Sequence, residues 1–344
     1  MVYSAVNIGL LGFGTVGQGL IEGIRWNKEK LEEQLDEPLI IKKALVRSLE
    51  KERYVQGIDL TASPLDILND PEIDIVVEVM GNEHPTYAYV KQALLSGKHV
   101  VTANKLLLAK HGVELEGIAR HQGVQLLYEG SVLGGIPILR TIQHGLSGDR
   151  VEEIRGILNG TTNYILTQMV ESGQSYETAL KAAQAAGYAE SDPTMDVSGL
   201  DTACKLVILC RECFKMNIRI EDVELSGIQD VTLEEIKNKQ IEGKVPKLMA
   251  QAGIVKSEQP LNDAVKKIEA KVGVEWIGKE DVLSQVTGVD NGLALKTKLV
   301  GELFWKGPGA GGLATGGAVL SDVLEVARYV LLSRNQYRSQ GQHF

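Results

Sequence analysis

The stretch Ile8-Gly9-Leu10-Leu11-Gly12-Phe13-Gly14-Thr15-Val16-Gly17 decides the fold of this chain. An apolar run from Val6 leads into G-x-G-x-x-G, and a helical pattern follows with apolar residues at Leu20, Ile21, Ile24, Leu31 and Leu35. The first glycine permits a tight turn, the second lets backbone approach a pyrophosphate, and the third lets helix and strand pack closely. The helix behind them offers N–H groups and the positive end of a dipole to an anion. G-x-G-x-x-G alone is a weak signal; a strand before it and a helix after it make it a dinucleotide fingerprint.

Working outward, strands are read at 39–46, 74–80, 99–103 and 124–128, with a helix at 85–96 and another after the third strand. Strands alternating with helices of this length predict βαβ units and a parallel sheet. The fold class is therefore α/β, with a Rossmann-type nucleotide domain over residues 1–148 and a mixed α/β substrate-binding and catalytic domain over 149–305. The second domain reads as a strand at 151–158, helices at 161–171, 176–186 and 199–214, and a polar helical stretch at 231–252. Strand-like segments follow at 265–270 and 292–300. Gly307-Pro308-Gly309-Ala310-Gly311-Gly312 breaks the pattern, and a helix at 316–330 closes the chain. Residues 306–330 are expected to pack back on the nucleotide domain, and 331–344 read as a disordered polar tail.

The end of the second strand selects the dinucleotide. An acid there binds the ribose 2′-hydroxyl of NAD, whereas an arginine suits the 2′-phosphate of NADP. Here the strand ends at Val46-Arg47-Ser48, with Lys51 close behind, while Asp36 and Glu37 precede Pro38 at the wrong end of the strand. Arg47 thus favours NADPH, with NADH as the lesser alternative; the competing reading is an ordinary solvated arginine.

Composition narrows the function classes. The chain has 344 residues, 44% apolar and 24% charged, as expected of a globular protein with a sizeable core. A net charge of −9 argues against nucleic acid or an anionic membrane as partner. No apolar run approaches the length of a membrane span. The opening residues lead straight into a strand, leaving no room for a signal peptide, so the expected location is the cytoplasm. Cys204, Cys210 and Cys213 cluster on one expected helix, which is no disulfide framework; they read as buried helix residues.

A second informative stretch runs from Gly187 to Lys205, with Glu190, Asp192 and Asp196 in a Gly- and Pro-punctuated loop. A helix follows, carrying Asp201 and Lys205 four residues apart and therefore on one face. Such an arrangement can hold a small polar molecule while a lysine handles a proton. An acidic loop beside a surface ion pair is the bland alternative.

Further motifs are Val101-Thr102-Ala103-Asn104-Lys105, the run from Tyr128 to Pro137 (YEGSVLGGIP), the run from Gly156 to Ile165 (GILNGTTNYI) and Gly307-Pro308-Gly309-Ala310-Gly311. With Gly12-Phe13-Gly14-Thr15-Val16-Gly17, in this order and over nearly the whole chain to about residue 330, they resemble homoserine dehydrogenase. The resemblance implies NAD(P)H-dependent interconversion of L-aspartate 4-semialdehyde and L-homoserine in threonine, methionine and isoleucine biosynthesis. It places Lys205 as the catalytic lysine with Asp201 beside it, and Lys105 as a second active-site lysine near the nicotinamide. Glu190 and Asp196 fall on substrate-binding positions, and Gly309 on the cofactor-binding glycine run. The tract from Glu129 to Ile136 matches a monovalent-cation site, such as one for sodium, in which Glu129, Val132, Gly134 and Ile136 supply oxygens. A homodimer through the substrate domain is implied as well.

The chemistry agrees with the resemblance. Aldehyde reduction leaves an alkoxide, and a cationic lysine stabilises and protonates it. The substrate's ammonium needs carboxylates, and its carboxylate finds N–H groups at the Asn159-Gly160-Thr161-Thr162 helix opening. Two departures stand out. Only a short run follows the closing helix, so an ACT domain and feedback control through one are not expected, and Met195 stands where some relatives carry an acid. An aldehyde-oxidising dehydrogenase needs an exposed thiolate, which mid-helix cysteines do not offer. A non-catalytic NADPH-sensing protein on the same fold is the alternative from another class.

Overall fold

The structure is a computed structural model that describes residues 5–50, 57–255 and 267–340. The chain divides into two compact units, residues 1–134 with 311–344, and residues 135–310.

The first unit begins with β1 (Val6–Leu11), α1 (Thr15–Trp26), α2 (Lys28–Leu35), β2 (Leu39–Leu45), β3 (Asp59–Thr61) and α3 (Leu65–Leu68). It continues with β4 (Ile75–Glu78), α4 (Thr86–Leu95), β5 (His99–Thr102), α5 (Lys105–Gln122) and β6 (Leu126–Leu127). The sheet order is β3-β2-β1-β4-β5-β6 with every pair parallel, the doubly wound arrangement in which order reverses between β1 and β4. Ile8, Leu10, Ile75, Val76 and Val77 are fully buried, as central strands covered on both faces require. One sequence expectation needs correction: the single helix expected to reach Leu35 is two. Asn27 leaves helical geometry at φ −106, ψ 16, and its side chain donates to the Gly23 carbonyl at 2.8 Å, which competes with the regular helix bond there.

The second unit comprises α6 (Ile138–Arg140), β7 (Val151–Ile157), α7 (Gly160–Ser172), α8 (Tyr176–Ala185), α9 (Thr194–Val197) and α10 (Leu200–Phe214). After these come β8 (Glu224–Leu225), α11 (Leu233–Ile241), β9 (Lys244–Val255), β10 (Lys267–Gly278), β11 (Asp290–Thr297) and β12 (Glu302–Pro308). Its sheet order is β12-β11-β7-β9-β10-β8, antiparallel except for the β8–β10 pair. Helix α10 is buried from Asp201 to Glu212. The polar helix read over 231–252 is overturned in its second half. Gly243 adopts φ +75 and ends α11, and 244–252 belong to β9, which pairs with β10 along its length and with β7 from residue 250. Residues 265 and 266 of the strand-like segment lie outside the described residues.

The chain returns to the first unit with α12 (Gly312–Gln340). Val319, Val323, Val326, Ala327 and Val330 lie at helical spacing and join the core of β1 and β4. A Cβ on Gly19 of α1 would sit 2.0 Å from the Gly312 carbonyl oxygen, and one on Gly316 would sit 2.6 Å from the Gly19 carbonyl carbon. The two helix backbones touch there, so glycine is required. The expected tail at 331–344 is corrected over 331–340, which is helical: Leu331 packs on the core and Arg334 donates to Asp74 at 2.6 Å. Residues 341–344 lie outside the described residues. The unit boundaries fall after Gly134 and after Ala310, not after 148 and 305, since α6 and the following turn are part of the second unit.

Candidate active site

In the first unit, the glycine loop is shaped by close approaches. Gly12 adopts φ +109, and a Cβ on it would meet the Val79 carbonyl oxygen at 2.9 Å; one on Gly17 would meet the Gly12 carbonyl oxygen at 2.5 Å. A Cβ on Gly14 would enter open space, and Gly14 and Thr15 are exposed at the start of α1, where no side chain caps the helix. Two glycines are thus demanded by the fold, while the third leaves the helix N-terminus open to an anion. This fits a dinucleotide pyrophosphate. Phe13 and Val16 complete the loop. Arg47 is exposed just beyond β2, and Lys51 lies outside the described residues.

Lys105 is the first residue of α5, half-buried, behind the Asn104 cap that accepts from Leu107 N–H at 3.1 Å. Nearby in sequence, Glu129 and Ser131 are buried in a short 3₁₀ turn, and Asp322 of α12 accepts from Glu129 N–H at 2.7 Å. Leu133 and Gly134 both take positive φ, 55 and 42, after the extended Val132. Such a reversal turns successive carbonyls in different directions. In the second unit, the Ile136 carbonyl accepts from Ile138 N–H at 2.7 Å.

The second unit gathers three of its four sequence-predicted side chains. Lys205 Nζ lies 2.8 Å from Asp201 Oδ2 and donates to the Leu158 carbonyl at 2.6 Å; both Asp201 and Lys205 are buried. Asp196, on α9, joins them through Asn159, whose Nδ2 donates to Asp196 Oδ1 at 2.7 Å and to Asp201 Oδ2 at 2.9 Å. Asn159 Oδ1 also caps α7 by accepting from Thr162 N–H at 2.8 Å. The amide therefore fixes a helix start and two carboxylates together. Glu190 is exposed, and no hydrogen bond among the described residues links its carboxylate to this cluster; its backbone carbonyl accepts from Gln184 at 3.1 Å.

Sequence reading valued Asn159 for helix-opening N–H groups and missed its bridging amide. An Asn before Gly-Thr-Thr signals an N-cap, but nothing local shows which distant carboxylates it meets. Gly309 has a packing reason of its own, since a Cβ there would collide with the Asn291 side chain. Cys204 and Cys210 are buried in α10, and burial pushes the Cys210 thiol up to about 12, which leaves no ready thiolate there.

The family model described as homoserine dehydrogenase matches residues 137–324. The chain belongs to the homoserine dehydrogenase family. A second model, the homoserine dehydrogenase NAD-binding domain, matches residues 12–129. The homoserine dehydrogenase of Bacillus subtilis strain 168 is 43% identical over 330 residues, 95% of this chain and 74% of that protein. Among solved structures, the Thiobacillus denitrificans homoserine dehydrogenase superposes with a TM-score of 0.89 at 38% identity, covering 94% of this chain and 73% of that one. A hyperthermophilic archaeal homoserine dehydrogenase in complex with NADPH gives 0.76 at 26% identity, covering 94% and 97%. As a homoserine dehydrogenase, the chain is an NAD(P)-dependent oxidoreductase acting on the CH–OH group of a small amino-acid substrate. These matches lend no support to a non-catalytic sensor. Among the described residues, no helix is long and apolar enough to cross a membrane.

Proposed function

We propose that the chain interconverts L-aspartate 4-semialdehyde and L-homoserine with NADPH in preference to NADH, and that Lys205 is the group acting on the reacting oxygen. The observation that carries this reading is the hydrogen bonding of Lys205. Two of its three ammonium protons are held, by Asp201 and by the Leu158 carbonyl, which leaves one for a substrate oxygen. The bound nicotinamide supplies the hydride. Lys205 stabilises the negative charge developing on the aldehyde oxygen and protonates it; in the oxidative direction it accepts that proton. Asp201 holds the ammonium in place, and Asn159 holds Asp201.

Asp196 and Glu190 bind the substrate ammonium, Asp196 from within the cluster and Glu190 from its exposed loop. Thr162 N–H is committed to the Asn159 cap, so Gly160 and Thr161 are the N–H groups left for the substrate carboxylate. Gly12, Phe13, Gly14, Thr15, Val16 and Gly17 hold the pyrophosphate, with Gly309 contributing. Arg47 takes the 2′-phosphate, and Lys105 stands near the nicotinamide. The NADPH-bound archaeal relative supports the choice of NADPH. Glu129, Val132, Gly134 and Ile136 hold a monovalent cation such as sodium. The enzyme acts as a cytoplasmic homodimer in threonine, methionine and isoleucine biosynthesis.

Steady-state rates with aspartate semialdehyde and each reduced cofactor test the reading. Faster turnover per cofactor concentration with NADPH is expected; equal or better use of NADH contradicts the assignment of Arg47.

A further inference from the structure

Glu78 is a fully buried carboxylate that the proposed chemistry does not use. It is the last residue of β4, next to the point where strand order reverses, and pairs in register with Leu11 of β1 and Thr102 of β5. Its Oε1 accepts from Met80 N–H at 2.7 Å and its Oε2 accepts from the Thr102 hydroxyl at 2.5 Å. Burial pushes this carboxyl above its ordinary range, and the hydrogen bonds it accepts pull it the other way.

The two donors belong to two different chain segments. Met80 opens the segment after β4, where Gly81 takes φ +83. Thr102 is the last residue of β5, and Asn104 lies in the segment after it. Thr102 Oγ1 also accepts from Asn104 N–H at 3.0 Å, Asn104 Nδ2 donates to the Asn82 carbonyl at 2.8 Å, and Asn104 Oδ1 caps the helix that Lys105 begins. One carboxylate therefore ties both loops at the carboxyl edge of β4 and β5 to each other. Ligands of open parallel sheets bind beyond this edge. A solvated acid makes no such network, and a packing role alone needs no carboxylate that accepts from Met80 N–H after one strand and from the Thr102 hydroxyl at the end of the next.

We propose that Glu78 is a positioning residue for the dehydrogenase reaction, setting the place of Lys105 through Thr102 and Asn104. This rests on the reading of Lys105 as an active-site lysine. Glu78→Gln tests it with little change of shape. The amide oxygen still accepts from Met80 N–H, but the NH2 group must donate to the Thr102 hydroxyl, which reverses that bond and removes the charge that anchors the β5 end of the network.

The experiment compares kcat, both KM values and thermal melting for Glu78→Gln, Thr102→Val, Lys105→Ala and the Glu78→Gln/Lys105→Ala double variant. Displacing a group by about 1 Å costs up to about 100-fold in rate. Glu78→Gln and Thr102→Val are expected to lower kcat by roughly 10- to 100-fold, with the substrate KM little changed and a cooperative melt retained. Because Glu78 acts through Lys105, Glu78→Gln should cost nothing further once Lys105 is alanine. Full kcat in Glu78→Gln, or a loss that multiplies with that of Lys105→Ala, overturns the proposal. Unchanged kcat in Lys105→Ala alone instead sinks the reading of Lys105, and a Glu78→Gln loss that persists beside it shows that Glu78 does not act by this route.

Discussion

Asn159 donates to Asp201 across 42 residues of chain, Nδ2 to Oδ2 at 2.9 Å, while the same nitrogen reaches Asp196 at 2.7 Å. Two carboxylates facing one amide is an arrangement that only a donor can hold together. Asn159→Asp keeps the helix cap, because Asp caps as well as Asn, but it replaces the donor with a third carboxylate. Hydrogen bonds to charged groups are worth about 1.5–3 kcal/mol. A fall in kcat/KM of roughly 10- to 100-fold is expected, together with a lower melting temperature from crowding three carboxylates in a buried site. Wild-type kcat/KM would show that the bridge does not set the geometry of Asp201.

Arg47 stands exposed beyond β2, where an acid would select the unphosphorylated cofactor. Arg47→Ala is expected to raise the KM for NADPH by about 10-fold, the scale of one charge-assisted hydrogen bond, and to leave that for NADH unchanged. Equal weakening of both would place Arg47 on the shared adenosine.

Glu190 is the exposed member of the acidic set. An ion pair it makes with a substrate ammonium is screened by water and worth about 1 kcal/mol at most. Glu190→Gln should therefore raise the KM for homoserine by about 3- to 5-fold and leave the cofactor KM alone. No change in homoserine KM means the carboxylate does not touch substrate.

Lys247 offers a pH test in the same unit. It is buried on β9, donating to the Asn163 side chain at 3.1 Å and to the Val286 carbonyl, and burial lowers its pKa from 10.5 to about 8. A neutral amine keeps two N–H donors, so both bonds survive loss of the charge. Between pH 8 and 10.5 the unfolded chain holds a proton that the folded one has released, so stability rises with pH in that window. Relative to Lys247→Met, the wild type is expected to gain stability from pH 8 to 10, by an amount on the order of 3 kcal/mol in full. Parallel stability curves for the two proteins in urea would show that Lys247 titrates normally.

The sequence made the first unit legible because its strands are apolar runs and because Gly12 and Gly17 sit where only glycine fits. Residues 244–252 misled because Leu248, Met249 and Ala250 are all buried in a central strand, which erases alternation and leaves a run of good helix formers. Helix α12 outran its expected end because Arg334 anchors a polar segment to Asp74, a contact visible only in three dimensions. Asp201 and Lys205 announced themselves by their i,i+4 spacing. Asn159 and Glu78 did not, since their partners come from distant segments whose proximity is set by tertiary packing rather than by local pattern.

The central claim is that Lys205 handles the proton of the reacting oxygen, and the kcat of Lys205→Ala for semialdehyde reduction with saturating NADPH tests it most directly. Removing a general acid typically costs 10²-fold or more. The expected result is a kcat reduced by at least about 100-fold with cofactor affinity and melting temperature near those of the wild type. A variant that folds and keeps more than about half of the wild-type kcat would contradict the account.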